Sequence, residues 1–568
     1  MKNIKNNEIN KTLLNHKITV YGWVQNKRRF GKTTFIDLRD AYGIVQLVFN
    51  NIDLNISKES VLKATGKVEL RKEANILLES GEIEIIVDSY EILSTSKELP
   101  FVIRDDINVN EDLRMQYRYL DLRRPKMHSN IVTRAKVISA MRRYLEDHDF
   151  LEIETPILGK STPEGARDYL VATRDRGKFF ALPQSPQLFK QMLMASGFER
   201  YFQVAKVFRD EDSRKDRQPE FTQFDIEVSF MDLSKFQNHI EKMMQTTFTK
   251  LGIDIKIPFE RMDYDVAFNL YGSDKPDLRY DLKLSSVCQF FNESNFEIIA
   301  NAESKRMLLL PHVITKKEFI QLEEIAKKNG ANILWYFNFE NSEIATSNFA
   351  TKDINSTQKL LKQITNNIKN GCALIVANTY EKASSALGAV RVKAIEMFEY
   401  KMVTDSKFKF VWIENWPMFE YDEENNKYVA AHHPFTNFQG KNLDNIDPKS
   451  AKSQAYDLVL NGYEVAGGSV RIFNKETQEK MFELINLSQQ EVQNKFGFFM
   501  NVFDYGLPPH LGMAFGIDRL IMILTGSNSI REVIAFPKNS HGQDVLTSSP
   551  SEITEEQLDE VYLKIKKD

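Results

Sequence analysis

Over residues 1–100, apolar and polar side chains alternate in five short runs, Ile18 to Gln25, Thr34 to Arg39, Ile44 to Phe49, Val61 to Leu70 and Glu82 to Ile92. A period of two predicts strands. Gly22, Gly31, Gly43, Gly66 and Gly81 punctuate these runs, as the turns and bends of a strongly curved sheet require, so a small five-stranded barrel is expected. A polar stretch around Ser94 to Asp106 opens a linker or hinge over residues 101–130. Beyond it the period changes: Ile131, Ala135, Ile138, Met141 and Leu145 recur at helical spacing behind Ser129, which predicts an amphipathic helix with Ser129 as its N-cap. That helix leads into Phe150-Leu151-Glu152-Ile153-Glu154-Thr155-Pro156, which alternates like a strand and which Pro156 marks as an edge or an end.

The pattern shifts again between Asp281 and Lys401, where apolar runs alternate with Lys- and Asn-rich helical stretches and the Arg, Glu and Gln clusters of the flanks are missing. An inserted α+β domain over residues 281–403 is the expectation, splitting a larger domain into 131–280 and 404–568. The whole reads as a multidomain α/β chain.

At 568 residues the chain exceeds one ordinary core, so about two to four domains are expected. Cys288 and Cys372 are its only cysteines; a disulfide framework and a structural zinc site are thereby excluded, and a reducing compartment fits. The opening Met-Lys-Asn-Ile-Lys-Asn-Asn-Glu has no apolar core of a signal peptide, and no run is apolar enough to span a bilayer, so a cytoplasmic protein without a membrane partner is expected. A formal net charge of −4 leaves no global footprint for nucleic acid; any RNA contact must use local basic patches.

One such patch is Lys27-Arg28-Arg29, followed by Phe35 and, on the next strand, Gln46. Cations hold phosphates, an aromatic ring stacks on an unpaired base and an amide reads a base edge, as on barrels of the oligonucleotide-binding (OB) type. The same run also reads as a solvated loop tip, and Phe35 as core. A second cluster, Val207-Phe208-Arg209-Asp210-Glu211 followed by Arg217-Gln218-Pro219-Glu220-Phe221, brings guanidinium groups, carboxylates and an aromatic across an expected hairpin. Arginine forks match phosphate oxygens and the ring can stack a purine.

This hairpin resembles motif 2 of class II aminoacyl-tRNA synthetases. Gly512-Met513-Ala514-Phe515-Gly516-Ile517-Asp518-Arg519-Leu520 resembles motif 3, and Phe150 to Pro156 resembles motif 1, which in that class lies at the dimer interface. Longer stretches, Ser161 to Leu170, Gln184 to Gln191, Tyr271 to Arg279, and Gly462-Tyr463-Glu464 with Gly467-Gly468-Ser469-Val470-Arg471, are similar to the bacterial-type aspartyl-tRNA synthetase family. Ala466 departs from the family, which usually carries glycine there; one extra methyl on the site strand is a mild change.

The resemblance implies an OB-type anticodon-binding barrel, a class II catalytic domain built on an antiparallel β-sheet flanked by helices, and a homodimer formed through the motif 1 region. It implies that Lys190 and Arg471 hold the side-chain carboxylate of L-aspartate, that Glu164, with Ser185 and Gln187, receives its ammonium group, and that Arg209 bridges its carboxylate and the α-phosphate of ATP. His432 and His433, which as bare residues read as solvated surface, would close over the amino acid. For ATP it implies Asp210, Glu211, Gln218 and Glu464, Phe221 under adenine, Arg217 and Arg519 on the terminal phosphate, and Gly516, Ile517 and Asp518 alongside; Arg209 and Arg519 are the catalytic pair. Asp225 and Glu464 would hold Mg2+, an ion suited to hard oxygen donors. On the barrel, Arg28, Phe35 and Gln46 would read the anticodon of tRNA(Asp). Phe30 and Gly31 stand where relaxed members carry histidine, a lean toward strict charging. An asparagine-charging relative and a tRNA-independent asparagine synthetase on the same catalytic fold are the alternatives.

Overall fold

The computed structural model describes residues 4–566 except 53, 162–165, 293, 295, 350–352, 366–367, 423, 441–442 and 444–445. It divides into two compact units, Met1–Val109 and Asn110–Asp568.

The first unit is a closed barrel. β1 (Lys17–Phe30), β2 (Thr33–Arg39), β3 (Ile44–Asn50), β4 (Val61–Leu70) and β5 (Ile83–Ser94) close in the order β1-β2-β3-β5-β4, and alternate residues such as Val20, Ile36, Leu38, Leu47, Leu62 and Ile85 point inward and are fully buried. β1 runs further than its apolar pattern predicts. Lys27, Arg28, Arg29 and Phe30 stay paired with β2, Arg28 opposite Phe35, so ladder bonds rather than burial extend the strand, and the basic run is part of the sheet instead of a loop tip.

In the second unit the first long helix spans Pro125–Glu146, with Pro125 in its first turn. It therefore starts before Ser129, because proline's fixed φ suits the first helical position, where its missing N–H costs nothing. β6 (Leu151–Glu152) follows, then the hairpin β7 (Leu170–Ala172) and β8 (Phe179–Ala181), the helix Gln187–Ala195, β9 (Arg200–Phe208), β10 (Glu220–Ser229), the helix Leu233–Lys250 and β11 (Glu260–Asp263).

An inserted layer comes next: β12 (Leu284–Ser286), β13 (Ser304–Leu310), β14 (Trp335–Glu340), β15 (Glu343–Ser347) and β16 (Gly371–Asn378) form an antiparallel sheet in the order β12-β13-β16-β14-β15. Its two faces bury separate cores. Leu308, Leu374 and Val376 meet the helices Lys316–Lys328 and Tyr380–Met397, and Phe337, Ala373 and Ile375 meet Ile354–Ile364.

The chain then returns with β17 (Phe410–Glu414), the hairpin β18 (Phe419–Asp422) and β19 (Lys427–Ala430), β20 (Ala455–Leu460), β21 (Tyr463–Val470), β22 (His510–Gly516) and the helix Ile517–Thr525. The main sheet has the order β11-β17-β20-β21-β22-β10-β9-β6, antiparallel through its centre. Strand alternation splits it chemically: Phe224, Ile226, Val228, Met513 and Phe515 pack against the long helices, while Gln223, Asp225, Glu227, Gly512 and Ala514 lie on the opposite face. Ala466 is buried with the apolar core, paired with Leu458 and Phe515. Among the described residues no helix is long and apolar enough to cross a membrane.

Candidate active site

The polar face of the main sheet carries two adjoining groups of charges. In the first, the helix Gln187–Ala195 sends Lys190 down onto β10. Its Nζ donates to Asp225 Oδ1 at 2.9 Å and lies 3.4 Å from Glu227 Oε2. From the end of β21, Arg471 donates through Nε and Nη2 to the two oxygens of Glu227 at 2.9 and 3.1 Å. Lys190 and Arg471 are 2% and 1% exposed and both acids are fully buried, which only a paired arrangement tolerates. Burial pushes Glu227 up, but Arg471 and Lys190 outweigh it and hold the carboxyl below its ordinary value. At Asp225 burial prevails and the carboxyl is raised; its Oδ2 is buried with no hydrogen-bond partner. His433 accepts from Arg471 Nη1 at 2.6 Å, and burial beside that guanidinium keeps the ring neutral by pushing its pKa well down. His432, at the edge of the Trp416 ring, is lowered to about 4 by burial, and its Nε2 has no partner. Both histidines are partly buried rather than freely solvated. Gln187 is buried, its backbone N–H donating to Ser185 Oγ at 3.2 Å and its side-chain amide nitrogen without a partner.

Backbone geometry makes room for this group. A Cβ on Gly512 would lie 1.9 Å from Glu227 Oε2 and 2.2 Å from the carbonyl oxygen of Ile226. Gly512→Ala is therefore expected to destabilise the domain by about 3 kcal/mol or more, since it must displace a buried, paired carboxylate. Urea unfolding checks this, and a midpoint within error of the parent would contradict it.

The second group lines a cavity of about 230 Å³ bounded by Arg209, Glu211, Arg217, Gln218, Phe221, Glu464, Gly516, Asp518 and Arg519. The Arg209 guanidinium lies 5.2 Å over the Phe221 ring, Arg217 is 3.1 Å from Glu211, and Arg519 donates to the carbonyl of Glu464 at 2.7 Å and reaches Asp216 at 3.3 Å. Three guanidinium groups converging on one opening suit a polyphosphate.

Several expected residues are engaged by other partners. Ile517 is fully buried in the apolar core. Asp518 borders the cavity, but its carboxylate accepts from Thr222 N at 2.9 Å and pairs with Arg134, a bond between sheet and helix. Asp210 faces Arg167 at 3.5 Å. The Gln218 amide exchanges hydrogen bonds with the backbone of Lys538. Glu164 lies outside the described residues.

The pairing of Asp225 with Glu464 as metal ligands is corrected. Asp225 is engaged by Lys190, whereas the acidic neighbour of Glu464 is Asp457 on β20, a buried carboxyl raised well above its ordinary value by burial and then by Glu464. A Cβ on Gly467 would come within 2.8 Å of Asp457 Oδ1 and 3.5 Å of Glu464 Oε1, so glycine lets both carboxylates approach one point. Two hard oxygen donors beside a polyphosphate cavity fit Mg2+, which binds through one or two carboxylates plus phosphate oxygens. Among the described residues no three such side chains converge, so the phosphates would complete the shell. Neither Asp457 nor Glu227 stands in a motif; the sequence signal for Asp457 is a single carboxylate in an otherwise apolar run, Ala455–Leu460.

On the barrel, Arg28 pairs with Asp37 at 2.9 Å and reaches the Gln46 carbonyl at 3.5 Å, while the Gln46 amide donates to Glu84 at 2.8 Å. Phe35 is half-buried and meets the edge of Phe30, which is 72% exposed. Arg28, Phe35 and Gln46 thus share one polar face with aromatic relief.

The family described as tRNA synthetases class II (D, K and N) matches residues 110–540, and that described as an OB-fold nucleic acid binding domain matches residues 18–93. The aspartate–tRNA ligase of Malacoplasma penetrans is 45% identical across 98% of this chain and 98% of its own. That of Bacillus licheniformis is 45% identical across 99% and 98%. Among solved structures, an aspartyl tRNA synthetase from Entamoeba histolytica has the same fold with a TM-score of 0.59 at 19% identity, covering 95% of this chain and 92% of that one. With both domains matched and near-full-length identity to such enzymes, the chain belongs to the aspartate–tRNA ligase family of class II tRNA synthetases.

Proposed function

We propose that the enzyme activates L-aspartate with ATP and transfers it to the terminal adenosine of tRNA(Asp). The observation that carries this reading is the buried Lys190–Asp225–Glu227–Arg471 group on the same strands as the arginine-lined cavity. A small acid and a triphosphate have adjacent seats.

In this reading Lys190 and Arg471 receive the side-chain carboxylate, and the unpartnered Asp225 Oδ2 adds an acceptor for the ammonium group beside Glu164, Ser185 and Gln187. The α-carboxylate oxygen attacks the α-phosphorus; the bond to the bridging oxygen breaks and pyrophosphate leaves. A terminal hydroxyl of the tRNA then attacks the carbonyl of the mixed anhydride, giving the ester and releasing AMP. No covalent enzyme intermediate is needed, and positioning with charge neutralisation does the work. Arg209 spans the reacting carboxylate and phosphate; Arg217 and Arg519 take the leaving end; Phe221 offers a stacking face for adenine. Asp457 and Glu464 would hold Mg2+, which would neutralise phosphate charge. His432 and His433, both neutral, leave the cations uncontested. Pyrophosphate exchange with aspartate, asparagine and lysine in turn tests the assignment: exchange should depend on aspartate alone, and exchange driven by asparagine would overturn it.

The barrel is assigned the anticodon. Phe35→Ala is expected to lower kcat/KM for tRNA about ten- to a hundred-fold, the worth of one stacked base, while leaving adenylate formation unchanged. Equal losses in charging and exchange would contradict this. A second copy of the chain is assigned to the motif 1 edge, where Leu151, Ile157 and Leu158 are each half exposed on or next to the terminal strand β6, and the reaction is assigned to the cytoplasm.

A further inference from the structure

The segment from Gly272 to Leu282 is held from two sides. On one side is the inserted domain. The helix Tyr264–Tyr271 ends at Gly272 in a left-handed turn, φ +62°. A Cβ there would fall 2.1 Å from the Ser384 carbonyl oxygen, and one on Gly388 would fall 2.3 Å from the Gly272 carbonyl oxygen. The inserted helix Tyr380–Met397 thus meets this turn backbone to backbone. One turn further along that helix, Arg391 is 2% exposed. Its Nη2 donates to the carbonyls of Asp277 at 2.9 Å and Tyr280 at 3.1 Å, its Nε donates to that of Leu282, and its Cζ lies 4.9 Å over the Tyr271 ring. A buried guanidinium must have its donors satisfied, and here they pin three carbonyls of one loop.

On the other side is the active site. Lys275, in the middle of the pinned segment, lies 2.6 Å from Asp274 and 3.7 Å from Glu464 Oε2. Glu464 shares its surroundings with the buried Asp457: a Cβ on Gly467 would lie 3.5 Å from Glu464 Oε1 and 2.8 Å from Asp457 Oδ1. Two carboxylates so placed repel, and Lys275 on the loop, together with Arg519 at 3.9 Å from the same oxygen, offsets that repulsion at Glu464.

We propose that the inserted domain is a positioning element for the ATP site: Arg391 fixes the Gly272–Leu282 segment, and the segment sets Lys275 against Glu464 so that this carboxylate faces the phosphates. The inference rests on the reading of Glu464 as a phosphate-side residue. Lys275 and Arg391 are positioning residues.

Lys275→Met, Arg391→Leu and the double variant are compared by pyrophosphate exchange and by equilibrium dialysis of Mg·ATP. Each single change is expected to raise KM for ATP and weaken Mg·ATP binding about ten-fold, with KM for aspartate within about two-fold, because the Lys190–Arg471 group is untouched. The double variant should be no worse than the worse single one, since Arg391 acts through Lys275. Arg391→Lys should not rescue, as one ammonium does not span three carbonyls. Should Arg391→Leu melt early, Arg391→Gln takes its place. Normal ATP binding in Lys275→Met, or a rise in KM for aspartate of equal size, overturns the proposal; a multiplicative loss in the double variant overturns the role of the inserted domain. If the parent shows no aspartate-dependent exchange, the functional reading fails, while dialysis of Mg·ATP still reports on Lys275.

Discussion

Arg209→Ala lowers the rate of aspartate-dependent pyrophosphate exchange by about a hundred- to a thousand-fold, the loss typical when one donor aimed at developing charge is removed. The residue lies at the end of β9, where Arg209 N donates to the Pro219 carbonyl at 2.9 Å and so fixes the start of its side chain. From there the guanidinium reaches over Phe221 and borders the same cavity as Arg217 and Arg519. Those two arginines lean on Glu211 and Asp216, and both lie toward the far end of a triphosphate in the proposed pose. In that pose Arg209 spans the α-phosphate and the substrate carboxylate. Its loss should therefore appear mainly in kcat, with KM for ATP raised only a few-fold. Arg209→Lys should recover little, because a point charge does not replace a planar fork that bonds two oxygens at once. A kcat within a factor of ten of the parent would remove Arg209 from the reaction.

The fold was largely legible because its signals are local. The five barrel strands follow their apolar alternation, and the central strands β9 and β10 follow the runs around Arg209 and Phe221. What was misread depended on partners distant in sequence. β1 keeps going through Lys27 to Phe30 only because β2 pairs with it, and no apolar side chain announces that. The chemistry was harder to read for the same reason. Arg471 and Glu227 are separated by 244 positions and Lys190 and Asp225 by 35, so no spacing rule shows that two cations and two acids form one neutral group. Glu227 did leave a trace: Asp225, Ile226 and Glu227 alternate polar and apolar between Phe224 and Val228, placing both acids on one face. Asp225 resembles a metal ligand in sequence because its partner, Lys190, comes from a helix that only folding brings above it.

The neutrality of that group gives the prediction with the clearest separation of fold from recognition. Lys190→Met leaves Asp225 and part of Glu227 as buried acids short of a cation, and removing one partner of a buried pair costs about 3–5 kcal/mol. Loss of activity in this variant alone would say little. Lys190→Met combined with Asp225→Asn removes one charge of each sign and should restore most of the lost stability in urea or thermal unfolding, as replacing both partners of a buried pair commonly does. Aspartate binding behaves differently. The substrate's side-chain carboxylate needs the Nζ protons of Lys190 that Asp225 and Glu227 do not consume, and a hydrogen bond to a charged partner is worth roughly 1.5–3 kcal/mol. Both the single and the double variant are therefore expected to raise KM for aspartate by ten- to a hundred-fold or more, with KM for ATP little changed, since the arginine-lined cavity shares no side chain with this pair. Recovery of aspartate affinity along with stability in the double variant would make Lys190 a brace for β10 and leave Arg471 alone to choose the substrate.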